Sequence, residues 1–169
     1  MTLLTVLHYP DRRLRNKALP VTQFDEGLRT IVSNMFETMY EEKGVGLASI
    51  QVDIPQRIIV IDVSEERNFP LCVINPEIVN QEGLQHESEG CLSVPEYFDK
   101  VERAAKVRMR AFDQDGTPYE LDAEGLLAIC IQHEIDHLNG ILFIDHLSRL
   151  KQGRLQKKAL KQQRSEVET

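Results

Sequence analysis

The chain has 169 residues, of which 41% are hydrophobic and 28% charged, a composition typical of one globular domain that can bury a core without disulfides. Its 20 basic and 27 acidic residues give a net charge of −7, which argues against a protein that binds nucleic acid or anionic membranes over its whole surface. Three cysteines, no secretory start and no apolar stretch of the roughly 18 residues that a membrane-spanning helix needs indicate a cytoplasmic protein that binds neither DNA nor a membrane.

Residues 1–147 contain the signals of two helices and four strands. Asp25 can cap the first helix, which runs to about Tyr40 because its apolar residues recur at every third or fourth position and form one buried stripe. Gly44 and Gly46 then end this helix and open a loop. The strands are predicted from runs of apolar and β-branched residues, at 57–63, 71–74, 101–112 and 119–121.

The connections predict an antiparallel arrangement around the second helix. The Asn-Pro pair at 75–76 indicates a turn after the second strand, and the Asp-Gly pair at 115–116 indicates a hairpin between the last two strands. Asp122 then caps a helix over about 123–139, and Gly140 ends it. This pattern predicts an α+β fold, in which antiparallel strands pack around one central helix.

Residues 148–169 carry a charge opposite to that of the rest of the chain. Seven basic and two acidic side chains give this segment a net charge of +5, which leaves −12 for residues 1–147. The segment predicts a polar, basic helix over 148–164, with Gly153 as a weak point inside it. We therefore divide the chain into a main domain at 1–147 and a basic C-terminal helix and tail at 148–169.

The second helix carries a motif that binds metal in many hydrolases. Residues 133–137 read His-Glu-Ile-Asp-His, so that two histidines one helical turn apart share a face and can bind a single ion. Glu134 lies beside them and can handle the protons of an attacking water. Because the helix is apolar on nearly all sides, both histidines are predicted to be buried, where they need partners. A metal site is therefore favoured over two surface histidines.

The spacing of residues leaves the third ligand of this site open. A third histidine at metzincin spacing would stand at Phe143, and a glutamate from a following helix, as in thermolysin-like proteases, has no good candidate. Cys72 lies in an apolar strand, and Cys130 stands on the same helix but about 10 Å along the axis from His137. Cys91, which follows a glycine that allows close backbone approach, is the better candidate, and Cys130 is predicted to line the site.

Three segments together resemble the motifs of the peptide deformylase family, in the same order and at similar spacing. They read GVGLASIQ at 44–51, EGCLS at 89–93 and QHEIDH at 132–137. The first has Ser49 where the family usually has alanine, and the resemblance extends from about residue 7 to about residue 150. It implies an α+β fold and removal of the N-formyl group from formyl-methionine on new polypeptides. Catalysis is therefore expected in the domain at 1–147.

The resemblance also implies roles for single residues. The implied metal ligands are Cys91, His133 and His137. They would hold one ion per chain, Fe²⁺, for which Zn²⁺ or Ni²⁺ can substitute. Glu134 is implied as the acid and base, and Gln51 and the backbone N–H of Leu92 are implied as donors beside the developing oxyanion.

An apolar and flexible pocket is expected for the methionine side chain of the substrate. Apolar residues near the motifs, together with the glycines beside them, are predicted to bind the substrate: Val45, Gly46, Gly90, Leu126, Ile129 and Cys130. Tyr97 and Phe98 stand where relatives often carry polar or basic residues, so the resemblance does not predict a preference beyond methionine.

Two other functions fit parts of the sequence. A general zinc endopeptidase would need a long open cleft, and the failed third-ligand spacings count against it. A nucleic-acid or ribosome-binding module would use the basic tail and a closed structural metal site, with a fourth ligand from His8, His86 or His146. The position of Glu134 between the two histidines favours catalysis over a structural metal site. If the protein is an enzyme, its basic tail predicts a contact with the ribosome, whose surface is largely phosphate.

Overall fold

The computed structural model describes residues 2–168, without the side chains of residues 166–168. Residue 169 and the side chains of Glu166 and Glu168, which belong to the predicted basic tail, lie outside the described residues. The helices are α1 (Glu26–Glu41), α2 (Gly125–Leu138) and α3 (Arg149–Glu168). The strands are β1 (Gly46–Ala48), β2 (Ile58–Ile61), β3 (Leu71–Cys91), β4 (Val94–Phe112) and β5 (Pro118–Glu124).

The five strands form one antiparallel sheet, in which each strand pairs with the next one along the chain. This confirms the predicted α+β class and the predicted Asp-Gly hairpin, which joins β4 to β5. The longest feature is the β3–β4 hairpin, in which Cys91 pairs with Val94 across a two-residue tip formed by Leu92 and Ser93. The hairpin tip therefore places Cys91, the cysteine of the second motif, at one end of the sheet.

The prediction of a turn at 75–76 is wrong, because β3 continues through these two residues. Asn75 has a φ of 51°, and the register of β3 against β4 shifts between Ile74 and Glu77, so the pair forms a bulge instead of a turn. The Asn75 side chain accepts a hydrogen bond from Val21 N and donates one to Val21 O, at 2.8 and 2.9 Å. A bulge and a turn both favour asparagine, so the local sequence does not distinguish them.

The start predicted for α2 is wrong by a few residues, because Asp122 and Ala123 still belong to β5. Asp122 pairs with Arg108 on β4 at 2.9 Å instead of capping the helix. The predicted end is confirmed: Gly140 has a φ of 76° and donates its N–H to the His137 carbonyl at 3.1 Å. At the end of α1, the loop predicted at Gly44–Gly46 is shorter than expected, since Gly46 begins β1.

The apolar core lies on both faces of β2. Ile59 and Ile61 pack with residues of α2, whereas Ile58 and Val60 pack with the apolar stripe of α1. This alternation follows from the two-residue period of a strand, and it explains why all four residues of β2 are buried. The arrangement fixes α2 in the centre of the molecule, in contact with β1, β2, β4 and β5.

The basic helix α3 lies against the main domain near its start. Leu155 packs on an apolar cluster that includes Phe143, and Lys151 forms an ion pair with Asp99 at 2.9 Å. Gly153 lies inside the helix, as the sequence predicts. Within residues 2–168, no helix is long and apolar enough to cross a membrane.

Candidate active site

The H-E-x-x-H motif lies within α2 and faces the interior of the molecule. His133, Glu134 and His137 are buried. The Nε2 atoms of the two histidines lie 3.2 Å apart, as residues one helical turn apart allow. The helix therefore presents two nitrogen donors to one point in space.

Cys91 approaches the same point from the tip of the β3–β4 hairpin. Its Sγ lies 3.3 Å from Nε2 of His137, and the donor atoms of Cys91, His133 and His137 all lie within 4.8 Å of one another. Tetrahedral ligation with bonds of about 2.3 Å to sulfur and about 2.0–2.1 Å to nitrogen separates donor atoms by about 3.3–3.6 Å. The separations of 3.2 and 3.3 Å are close to these values, so the three donors could hold a single ion.

Cys130 does not join this group. Its Sγ points toward the Val45 carbonyl at 3.8 Å, and burial raises the pKa of the thiol well above its ordinary value. Cys130 also lies outside the group of donor atoms formed by Cys91, His133 and His137. Cys72 is also separate from the site, and burial raises its pKa to about 12.

Behind the histidines lies a buried ion-pair network that the sequence analysis missed. Glu89 accepts from Nδ1 of His133 at 2.9 Å and from two nitrogens of Arg103 at 2.9 Å each, and Arg103 also pairs with Asp136 at 2.7 Å. Burial alone would raise the pKa of Glu89, but the hydrogen bonds from Arg103 and His133 hold it below the ordinary value. The anionic carboxylate fixes the His133 ring with Nε2 free for a metal.

Only the proximity of Glu89 to Cys91 in sequence could have pointed to this network. Arg103 lies outside the three motifs, and the pairing of β3 with β4 brings it to Glu89. Because Arg103 and Glu89 are both about 4% exposed in their side chains, their pairing is largely shielded from solvent.

Glu134 has the properties of a proton carrier. Its Oε1 is buried without a hydrogen-bond partner among the described residues, 3.9 Å from Nε2 of His137. Burial raises the pKa of its carboxyl group to about 7. A carboxyl group in this environment can both accept and return a proton near neutral pH.

Gln51 connects the first motif to the hairpin tip. It is buried in a short 3₁₀ turn, Ser49–Val52, where its Oε1 accepts the Ala48 N–H at 2.9 Å. Its Nε2 donates to Ser93 Oγ at 3.0 Å and reaches Cys91 Sγ at 3.5 Å. The amide is thus oriented with its donor toward the metal-binding cysteine, and Leu92 follows that cysteine at the tip.

A cavity of about 970 Å³ opens onto these groups. Gln51, Cys91, Leu92, His133 and Glu134 contribute to its wall. The six residues predicted to bind substrate also line it: Val45, Gly46, Gly90, Leu126, Ile129 and Cys130. The structure therefore brings the separate sequence candidates to one cavity.

Two glycines of the cavity wall lie close to neighbouring side chains. A Cβ atom at Gly46 would lie 2.5 Å from Oε2 of Glu134 and 2.6 Å from Sγ of Cys130. A Cβ atom at Gly90 would lie 2.4 Å from the Phe98 ring. Any larger residue at either position would displace its neighbours.

Comparisons with known proteins agree with this geometry. The sequence profile of the Polypeptide deformylase family matches residues 3–153. The chain belongs to the peptide deformylase family. Peptide deformylase from Chromobacterium violaceum is 53% identical over 167 residues, which make up 99% of this chain and 100% of the relative. Peptide deformylase 1 from Pseudomonas syringae pv. tomato is 55% identical over 163 residues, which make up 96% and 97% of the two chains.

A solved peptide deformylase has the same fold. The crystal structure of a peptide deformylase from Legionella pneumophila superposes with a TM-score of 0.92 at 46% identity and covers 99% of each chain. Members of the peptide deformylase family are metal-dependent hydrolases that remove N-formyl groups from nascent polypeptides. The family and the enzymatic function predicted from the sequence are therefore confirmed.

The structure accommodates the departures from the usual peptide deformylase motifs. Ser49 is buried, and its hydroxyl donates to the Gln56 carbonyl, so its extra oxygen has a partner. Tyr97 stacks on Phe143 and donates its hydroxyl to Asp99 at 2.9 Å, away from the cavity wall. Phe98 instead lies at the mouth of the cavity and is 68% exposed.

A closed structural metal site receives no support from the remaining histidines. Among the described residues, the one group that could hold a metal contains Cys91 and the two motif histidines alone. His86 is exposed, and His146 binds Asp136 at 2.9 Å. His8 lines the cavity but does not belong to the donor group. Three protein donors facing a cavity are typical of a catalytic site in the peptide deformylase family and in other metal hydrolases.

Proposed function

We propose that this chain removes the formyl group from formyl-methionine on nascent polypeptides in the cytoplasm, using an ion held by Cys91, His133 and His137. The observation that carries the proposal is the convergence of these three donor atoms with the unpartnered Oε1 of Glu134, beside a cavity whose wall includes Cys91, His133 and Glu134. A formyl group is an unactivated amide, so hydrolysis needs an activated water, a proton for the leaving amine and donors for the oxyanion.

Glu134 supplies the proton transfers in this proposal. A divalent ion bound by the three donors would act as a Lewis acid and lower the pKa of a water molecule. Oε1 of Glu134 is free to accept the proton of the attacking water and is buried beside the donor atoms. The same carboxyl group then delivers the proton to the departing amine, which releases formate.

Gln51 and Leu92 stabilise the negative charge that develops on the formyl oxygen. The Gln51 amide is held through Oε1, so its Nε2 donor is oriented before substrate binds. The backbone N–H of Leu92 immediately follows the cysteine ligand at the hairpin tip. Donors fixed in advance near the reacting oxygen stabilise the transition state without reorganising.

The methionine end of the substrate binds along two backbone walls. β1 is the end strand of the sheet and includes Gly46, which gives it an unpaired edge beside the cavity. Gly90, in the second motif, belongs to the other wall of the cavity. Both walls can approach an extended peptide closely, and Val45, Leu126, Ile129 and Cys130 offer apolar contacts to the methionine side chain.

We propose Fe²⁺ as the native ion, one per chain, because the resemblance to the peptide deformylase family implies it and the ligand set is compatible with it. One thiolate and two imidazoles suit Fe²⁺ and also suit Zn²⁺ or Ni²⁺, which we propose as substitutes. A thiolate on Fe²⁺ is exposed to oxidation when a cavity admits oxygen or peroxide. Metal identity is therefore best established on protein purified without oxygen.

A formate-release assay tests the proposed function. Protein purified without oxygen should contain about one equivalent of Fe²⁺ and release formate from a formyl-Met-Ala-Ser peptide, because the ion completes the site. A chelator should abolish release, and added Fe²⁺ should restore it. The acetyl-Met-Ala-Ser peptide serves as the matched control, since its larger acyl group should react far more slowly. Formate release that persists in the metal-free protein would contradict the proposal.

We further propose that the segment 148–169 docks the catalytic domain at 1–147 on the ribosome. The seven basic side chains of α3 are exposed, whereas Leu155 faces the main domain. A helix fixed on one side and basic on the other suits attachment to a polyanion. The formylated substrate also emerges from the ribosome, so this contact would place the cavity near its substrate.

Charge removal on α3 tests the docking. Replacing Lys157, Lys158 and Lys161 together with glutamine should lower ribosome co-sedimentation at low salt and make its salt dependence less steep, because fewer counterions are released. Hydrolysis of short formyl peptides should stay near the unmodified rate. A second variant controls for a general effect of charge. In it, glutamine replaces three exposed glutamates of β3, Glu77, Glu82 and Glu87. Equal co-sedimentation of the α3 variant and the unmodified enzyme at low salt would exclude the docking role.

A further inference from the structure

The segment that follows β2 holds one wall of the active-site cavity. Arg67 lies in this segment and donates from one guanidinium nitrogen to the Asp62 carbonyl at 2.7 Å and from the other to the Gly44 carbonyl. Gly44 lines the cavity, but Arg67 does not. Arg67 therefore contacts the wall from behind.

The wall that Arg67 holds is packed tightly against the reactive groups. A Cβ atom at Gly44 would lie 2.8 Å from Cδ1 of Leu92, and one at Gly46 would lie 2.5 Å from Oε2 of Glu134. The Val45 carbonyl between them accepts the Asp62 N–H at 2.8 Å. The carbonyls of two successive wall residues, Gly44 and Val45, are thus bound by groups of the 62–67 segment.

Arg67 is itself held in a fixed position. Its guanidinium lies over the Tyr40 ring, 5.2 Å from the centroid, and the Tyr40 hydroxyl donates to Asp62 at 2.7 Å. Asp62 is buried and also accepts the N–H groups of Ser64 and Phe69 at 3.0 and 3.1 Å. Arg67 adopts a left-handed backbone with a φ of 56°, which a side chain tolerates only where its surroundings fix it.

We propose that Arg67 is a positioning residue for the peptide substrate, acting through the Gly44 carbonyl to fix the wall Gly44–Gly46. This inference rests on the proposed function. Gly44, on which Arg67 acts, lies between Gly46 and the exposed end of the wall at Glu42 and Lys43. This part of the wall would contact the residues that follow methionine, and it supplies neither the ion nor the proton. Loss of the anchor should therefore weaken binding of substrates that extend along the wall more than it slows the chemical step.

Substrate length separates this role from a general effect on the fold. In Arg67→Met, both charged hydrogen bonds of the guanidinium are lost, but only the one to Gly44 holds the wall. KM for formyl-Met-Ala-Ser should therefore rise about tenfold, the size expected for that one bond. The kcat for this peptide, and both constants for the short substrate formyl-methionine amide, should stay within about twofold. Arg67→Lys should show a smaller rise in KM, because one ammonium group can reach one of the two carbonyls.

Tyr40→Phe is the matched control. It removes the hydroxyl bond to Asp62 but keeps a ring below Arg67 and leaves the Gly44 contact in place. We expect a lower unfolding temperature without a length-dependent change in KM. If Arg67→Met does not fold, the comparison of Arg67→Lys with Tyr40→Phe carries the test.

Three outcomes would overturn the inference. Equal losses on the long and short substrates would show that Arg67 only supports the fold, and unchanged constants in Arg67→Met and Arg67→Lys would show that the wall needs no anchor. If the unmodified enzyme released no formate from either substrate, the proposed function would fail and this inference with it. Either of the first two outcomes, found with an active unmodified enzyme, would overturn this inference and leave the proposed function standing.

Discussion

Cys91→Ser should lose both the bound ion and formate release. A serine hydroxyl is a poor ligand at neutral pH, and the two histidines alone provide too few donors to hold a divalent ion firmly. His133→Ala and His137→Ala should give the same double loss. Metal content per chain, measured by elemental analysis of protein purified without oxygen, and the rate of formate release are the two measurements.

Cys130→Ser is the matched control for this prediction. Cys130 lines the same cavity, but its Sγ points to the Val45 carbonyl and lies outside the donor group of Cys91, His133 and His137. The variant should keep about one ion per chain, and because Cys130 contacts the methionine side chain in the proposed function, metal content is the measurement that it controls. Full metal content in Cys91→Ser would mean that the ion uses a different third ligand.

Glu134→Gln should keep the ion and the fold but lose about 10²–10⁴ in kcat, the usual contribution of a general acid and base. The amide has nearly the same shape as the carboxylate but cannot accept the proton of the attacking water. Metal analysis and thermal unfolding should match the unmodified enzyme, so that the loss is confined to turnover.

Glu42→Gln controls for the loss of a negative charge at the cavity. Glu42 lines the mouth of the cavity and is exposed, so its replacement should leave kcat nearly unchanged. A near-normal kcat in Glu134→Gln would remove Glu134 from the proposed mechanism. Loss of the ion in this variant would instead identify Glu134 as a ligand.

The parts of the site that follow from local spacing could be predicted from the sequence. His133 and His137 share a face because the period of a helix requires it, and the continuous apolar run of β2 predicts burial on both faces. Gly140 ends α2 because a left-handed residue is needed there. In each case, a short segment contains all the information.

The parts that depend on pairing between distant segments could not be predicted in the same way. β3 is polar and mostly exposed over residues 77–88, so this part of the hairpin lacks the alternation of a half-buried strand. Its register nevertheless brings Arg103 to Glu89, and through Glu89 to His133. The choice of Cys91 as third ligand likewise depended on a family resemblance, because residue spacing alone only ranked it above Cys130.

The close approach of Gly46 to the catalytic carboxylate also limits how this enzyme could escape an inhibitor. A resistance mutation commonly adds bulk to a pocket wall and leaves the chemistry intact. At Gly46, any added side chain would press on Oε2 of Glu134 and on the buried Cys130 thiol. The change that blocks the inhibitor would therefore displace the carboxylate that we propose moves the proton. A compound bound against this wall would contact a position where a resistance mutation also lowers activity.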